Sequence, residues 1–173
     1  ENLTKQLNYW EEKLKGYEEL NLTPDRNRPH EIDYRGNNIY FEIEENVSVA
    51  LRELAKNLGV SLYSLLLSGY YLMLRGHSGQ DDIVIGTPAA NRHYSEVENL
   101  IGFFVNTLAL RIQINSEDKI YEFIQNVGRE VVEAQLHQDL PFEKLVDELK
   151  VTKDTSKHAI FQNMFGVQSF SRN

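Results

Sequence analysis

Side chains able to do chemistry are sparse in this chain and scattered along it. The five histidines, His30, His77, His93, His137 and His158, are never adjacent, and no cluster of His, Asp and Glu has metal-ligand spacing. Cysteine is absent, which removes disulfides and cysteine-based zinc sites. No glycine-rich phosphate loop occurs, so neither a metal nor a nucleotide cofactor is implied. His137 and Asp139 can be written as a base with its orienting carboxylate. No Ser or Cys in a nucleophile elbow accompanies them, and an adjacent pair of this kind at a helix end serves more often as a cap than as a catalyst.

Asn106 is the second candidate, because of where it stands. From Asn106 to Ile114 the apolar residues Leu108, Leu110, Ile112 and Ile114 alternate with Thr107, Arg111 and Gln113, the pattern of a half-buried strand. Asn106 has the parity of the buried face, so its amide must find partners there or face a wet cavity. Arg111 takes the opposite face, where a salt bridge or surface role is expected. Ahead of the strand, Ile101, Phe103, Phe104 and Val105 crowd around Gly102, a run that no simple period explains and that reads as a bend.

The elements that position these residues follow from periodicity and caps. A helix is expected over about Leu3 to Lys15, then an irregular, proline-bearing connector from Thr23 to Arg35. Ile39, Phe41 and Ile43 alternate as a strand. Val47, Ala50, Leu51, Leu54, Ala55 and Leu58 fall at helical spacing; Gly59 is placed to stop that helix and Ser61 to cap the next. The apolar run from Leu62 to Leu74 is too short to cross a membrane and reads as a buried helix forming a tight pair with the one before it. A short strand, Ile83 to Ile85, and a polar loop, Ala89 to Asn99, lead to the glycine bend. After the second strand, Ser116 is expected to cap a long helix, with Glu117 and Asp118 in its first turn and Ile120, Phe123, Ile124, Val127 and Val131 along one face. Pro141 starts a further short helix. Helices covering one mixed sheet, an α/β (α+β) architecture, are the natural outcome of this β-α-α-β-β-α-α-β order.

The run Ile101-Gly102-Phe103-Phe104-Val105-Asn106-Thr107-Leu108-Ala109-Leu110-Arg111 resembles the fifth core motif of the condensation domains of nonribosomal peptide synthetases. His137-Gln138-Asp139-Leu140-Pro141-Phe142-Glu143 is similar to the sixth motif. Asp154-Thr155-Ser156 leading to Phe161-Gln162-Asn163-Met164-Phe165 is similar to the seventh, with Lys157 and His158 where that family usually has Arg and Asn. Gln6-Leu7 with Tyr9-Trp10, and Gly79 to Pro88 with Arg92, also fit the order of the family. The likeness covers nearly the whole chain.

The resemblance implies one chloramphenicol-acetyltransferase-like lobe, the C-terminal part of a condensation domain over residues 1–173, with both ends expected to be cut. It implies an amide-forming parent enzyme that joins a donor acyl thioester to the amine of an acceptor aminoacyl thioester. The family's His-His-x-x-x-Asp-Gly motif is not in this sequence, so no catalytic residue is expected in the fragment, which is expected to be inactive alone. Phe104 and Asn106 are then the candidates for the substrate-tunnel wall, and Gly102, Arg111, His137, Asp139, Pro141 and Phe142 are motif residues with structural roles. No cofactor is expected to bind directly; phosphopantetheine arms belong to partner carrier domains. The implied partners are the N-terminal lobe, the carrier domains and an adenylation domain. Rival readings are a related acyltransferase or epimerisation lobe, or a noncatalytic carrier-binding module. Phe104-Val105-Asn106-Thr107 is of the condensation type, against epimerisation.

Composition agrees with a single domain. The chain has 173 residues, 41% of them hydrophobic, and a net charge of -8. That balance argues against nonspecific binding to nucleic acid or to an anionic membrane surface. With no cysteine and no signal peptide, the expected location is the cytoplasm.

Overall fold

A computed structural model describes residues 2–27, 29–32, 34–91, 100–102, 104–151 and 154–168. Among these described residues there are five helices and two strands: α1 (Asn2–Leu14), α2 (Glu45–Leu58), α3 (Leu62–Ser78), β1 (Asp82–Ala89), β2 (Asn106–Gln113), α4 (Ile120–Leu136) and α5 (Phe142–Glu148).

The sheet is the base on which the rest is assembled. β1 and β2 pair antiparallel, with Ile83 opposite Ile112, Ile85 opposite Leu110 and Thr87 opposite Leu108. Both faces are covered, since Val84 and Ala109 are as buried as Ile83 and Leu110. On its other edge β1 meets the segment around Met164 in a parallel bridge: Gly86 donates to the Asn163 carbonyl at 2.9 Å, and Phe165 donates to the Gly86 carbonyl at 2.9 Å. The sheet is therefore mixed, as expected. Gly86 is required there, because a Cβ at this position would come within 2.4 Å of the Phe161 ring.

α3 is the buried helix. Ser61 caps it by accepting from the Ser64 N–H at 3.0 Å, and Gly59 ends α2 at φ +68°, the left-handed conformation that glycine adopts without strain. Leu65, Leu67, Tyr71 and Leu74 enter the core, while Ser64 and Ser68 keep the neighbouring face small. There α4 packs close, with Gly128 against Val60 and Ser64. Tyr71, fully buried, donates its hydroxyl to the Leu110 carbonyl at 2.7 Å, which ties the helix to β2. From α4, Phe123, Ile124, Val127, Val131 and Ala134 complete the core.

Four expectations need correction or lie beyond view. Ile39, Phe41 and Ile43 form no strand: the segment is extended but has no ladder partner among the described residues, and Ile39 and Phe41 are 90% and 82% exposed. Alternation supplies a strand's faces, but only a neighbour supplies its hydrogen bonds. Nor are α2 and α3 a tight pair. Their axes diverge by 103°, and Ala55 is the only residue of α2 fully inside. Ser116 is not the cap of α4. It sits in a turn closed by Asn115, whose side chain bonds Glu117 and Asp118, and the helix begins after Lys119, whose N–H is accepted by Glu122. Phe103, Arg92 and most of the Ala89–Asn99 loop lie outside the described residues.

The described residues of the connector from Thr23 to Arg35 are irregular as expected, and they are stitched to the turn near Thr155. Ile32 donates to the Thr155 carbonyl at 2.9 Å, and the Thr155 hydroxyl donates to the His30 carbonyl at 2.8 Å.

Candidate functional site

The residues singled out by sequence converge on the turn between α4 and α5. His137 closes α4, its backbone N–H reaching the Ala134 carbonyl at 3.1 Å. Its Nδ1 lies 2.9 Å from the Glu133 carbonyl, which only accepts, so Nδ1 is the donor of this pair. The ring stacks flat on Tyr9 of α1, with centroids 3.8 Å apart. Trp10, also on α1, donates to the His137 carbonyl at 2.9 Å. Gln6 is almost fully buried and uses both ends of its amide, donating to Asp139 Oδ2 at 2.8 Å and accepting from the Leu140 N–H at 3.0 Å. Thus His137 and Asp139 are held by α1 rather than aimed at each other.

Asn106 grips the same turn from the opposite side. Its Nδ2 donates to the carbonyls of Gln138 and Leu140, both at 2.8 Å. Its Oδ1 accepts from the backbone N–H of Phe142 at 3.1 Å and of Thr107 at 2.8 Å. All four hydrogen-bonding capacities of the amide are used within the protein. Pro141, which has no N–H, opens α5, and the Phe142 ring packs against Phe161 with centroids 5.3 Å apart. Upstream, Phe104 is half-buried and Gly102 exposed in a bend, where a Cβ on Gly102 would come 2.9 Å from the Phe104 ring.

Arg111 works on the other face of β2. Its Nε and one terminal nitrogen bind both oxygens of Asp82 at 2.8 and 2.6 Å, and the remaining N–H groups reach the carbonyls of Lys13, Lys15 and Gly16. This satisfies the open carbonyls at the end of α1 and places a positive charge on the negative end of that helix. Lys13 adds an ion pair to Glu130 of α4. So α1 is fastened at one end by Arg111 and at the other by the His137 turn.

Beside the turn lies a cavity of about 410 Å³ at the end of the sheet. Leu108, Leu110 and Val131 form its apolar floor, with Tyr63, Thr87 and Gln135 around them. The Tyr63 hydroxyl donates to Thr87 Oγ1 at 2.7 Å, and burial pushes the Tyr63 phenol up. Gln138, whose carbonyl Asn106 holds, also lines the cavity; Asn106 does not. Among the described residues no group of His, Asp and Glu could hold a metal ion.

Sequence reasoning missed Thr87 and Tyr63 as cavity residues, and the gripping role of Gln6. For Gln6 a signal existed: it shares the four-residue spacing of Trp10 and Leu14, so it is a polar residue on a buried helix face. For Tyr63 and Thr87 there was none, since their meeting depends on α3 crossing β1.

Compared with known proteins, residues 1–173 match the family model described as Condensation domain. The chain belongs to the condensation-domain family. It is 47% identical over 163 residues to the N-(5-amino-5-carboxypentanoyl)-L-cysteinyl-D-valine synthase of Amycolatopsis lactamdurans, covering 94% of this chain and 4% of that protein. To surfactin synthase subunit 1 of Bacillus subtilis it is 38% identical over 170 residues, covering 98% of this chain and 5% of the relative. This condensation-domain chain therefore spans only a small part of the curated relatives it matches. Among solved structures, a four-domain nonribosomal peptide synthetase bound to AMP and glycine superposes with a TM-score of 0.88 at 29% identity, over 95% of this chain and 13% of that one. The X-domain of teicoplanin biosynthesis gives 0.87 at 25% identity, over 94% and 36%. The expected mixed α/β fold, that of condensation domains, is thereby established, and the relatives are peptide synthetases.

Proposed function

We propose that this segment works as the C-terminal lobe of a condensation domain in a nonribosomal peptide synthetase and supplies one wall of the tunnel in which an amide bond forms. The observation that carries this reading is the joint between the fifth and sixth motifs, where Asn106 binds the backbone of Gln138, Leu140 and Phe142 beside an open cavity. In the proposed reaction the acceptor amine attacks the donor thioester carbonyl. A carbon–nitrogen bond forms, the carbon–sulfur bond breaks, and the amine proton ends on the departing thiol. The histidine that serves the family as base or positioning group belongs to the His-His-x-x-x-Asp-Gly motif, which this sequence lacks. What remains for this lobe is positioning, which is a large share of any reaction between two tethered partners. Phe104 is proposed as a tunnel-wall side chain, and Asn106 as the residue that holds the wall in place.

The phosphopantetheine arms that present both thioesters belong to carrier domains, which with an adenylation domain and the N-terminal lobe are the proposed partners. No helix among the described residues is long and apolar enough to cross a membrane, and a cytoplasmic location is proposed. A second reading is favoured by one finding: the X-domain, similar in fold, has been solved in complex with OxyB, so this scaffold can serve recruitment.

Single-turnover condensation between loaded carrier domains separates the two readings. The complete domain containing this lobe is expected to form the amide, and the 173-residue chain alone is expected to form none. A complete domain with the histidine motif intact that never forms product, yet binds a partner protein, would favour the recruitment reading instead.

A further inference from the structure

We propose that the cavity bounded by Thr87, Leu108, Leu110, Val131, Gln135 and Tyr63 is a side-chain subsite that selects uncharged substrates, with the Thr87 hydroxyl as its one buried donor. This rests on the reading above, and it takes the cavity to open onto the tunnel of which this lobe is one wall. Three observations carry it. First, no Asp, Glu, Lys or Arg lines the cavity among the described residues, although such residues make up 25% of the chain. A charged side chain placed there would lose its water and gain no counter-ion. Second, the volume of about 410 Å³ lies within the range of built small-molecule sites and suits one amino-acid side chain with room for its backbone.

Third, the polar groups are arranged asymmetrically. Thr87, only 7% exposed, accepts the Tyr63 proton at its Oγ1, so its own hydroxyl hydrogen is left to donate. No acceptor for that hydrogen is found among the described residues. A substrate side chain with an apolar stem and a carbonyl or hydroxyl tip would supply it, the stem lying on Leu108, Leu110 and Val131. Gln135, exposed on α4, stands at the mouth and can be changed without disturbing the core.

The test uses the complete condensation domain with aminoacyl thioesters varied in one arm as donor and in another as acceptor, each series containing leucyl, glutaminyl, glutamyl and lysyl forms. Initial rates give kcat/KM for each. The expected result is that in one arm the glutamyl and lysyl forms fall at least about tenfold below the glutaminyl form, while the other arm shows no such gap. In the responsive arm Gln135→Lys should raise the glutamyl form and not the lysyl form. Thr87→Val should lower glutaminyl against leucyl in rates taken per folded molecule, since the Tyr63 hydroxyl also loses its acceptor. If charged and uncharged forms react equally well in both arms, or Gln135→Lys leaves the glutamyl-to-lysyl ratio unmoved, the subsite is disproved while the condensation reading stands. If no thioester in either arm gives product, both fall together.

Discussion

Asn106 spends one short side chain on four backbone partners, three of them in the turn that joins α4 to α5. Replacing it with Ala leaves two carbonyls and the Phe142 N–H without protein partners at a half-buried position. Asn106→Ala should therefore lower stability by about 1–3 kcal/mol in urea unfolding, the usual range for orphaned polar groups. If stability held and only the rate of condensation fell, the grip on the turn would not be its main task. Tyr71 makes a different kind of prediction. Burial pushes its phenol well above the usual tyrosine range, with Tyr63 and Glu130 adding to the rise. A folded pKa above the unfolded one favours folding below the unfolded value near 10, and the contribution is lost as pH climbs toward the folded value. Above pH 10 each such tyrosine lowers stability by about 1.4 kcal/mol per pH unit. Tyr71→Phe should flatten that alkaline slope by one tyrosine's share, at a cost of about 1 kcal/mol at neutral pH for the lost bond to Leu110.

At the scale of elements, the attachment of α1 is decided by polar side chains more than by its apolar face. The Arg111–Asp82 pair is well sheltered, with side chains only 10% and 13% exposed. Removing one partner strands the other, so Arg111→Ala should cost about 3 kcal/mol and loosen the end of α1. Hydrogen exchange of the amides around Lys13 to Gly16 would show whether the helix end opens. Arg111→Lys should recover only part of the loss, because an ammonium cannot reproduce the two-pronged bond to Asp82. The sheet has its own tight point at Gly86. Gly86→Ala drives a methyl into the Phe161 ring and should destabilise by about 1–3 kcal/mol. Gly102 is the contrast. It is exposed, its φ is not positive, and the nearest atoms a side chain would meet among the described residues belong to the movable Phe104 ring, so Gly102→Val should do much less damage than Gly86→Ala.

For the molecule as a whole, one group of exposed apolar residues follows closely in sequence: Ile39, Tyr40 and Phe41 in the extended segment, then Ile43, Val47, Val49 and Leu54 running onto α2. An unpaired extended segment rich in large apolar side chains promotes association. The purified 173-residue chain should therefore sediment as larger species with rising concentration, and Phe41→Lys should shift it toward monomer. Unchanged sedimentation of the variant would place the sticky surface elsewhere.

What the sequence determined by itself was whatever local physics controls. Helix periodicity located α2 and α4, the apolar run from Leu62 located α3 and Pro141 the start of α5, Gly59 and Ser61 marked the α2–α3 boundary, and alternation through Ile114 revealed β2, because caps and side-chain faces are properties of a few consecutive residues. The parity of Asn106 also announced that its amide needed partners. Only the tertiary structure decided who they were. The turn at Gln138 to Phe142 reaches Asn106 across more than thirty positions, and Gln6 reaches it from farther still. The same distance explains the failures. Ile39 to Ile43 has a strand's pattern without a strand's neighbour, and Tyr63 and Thr87 share a cavity only because α3 lies across β1. Hydrogen bonds and cavities between remote segments depend on how elements dock, and docking energy is spread over many side chains with no single residue recording it.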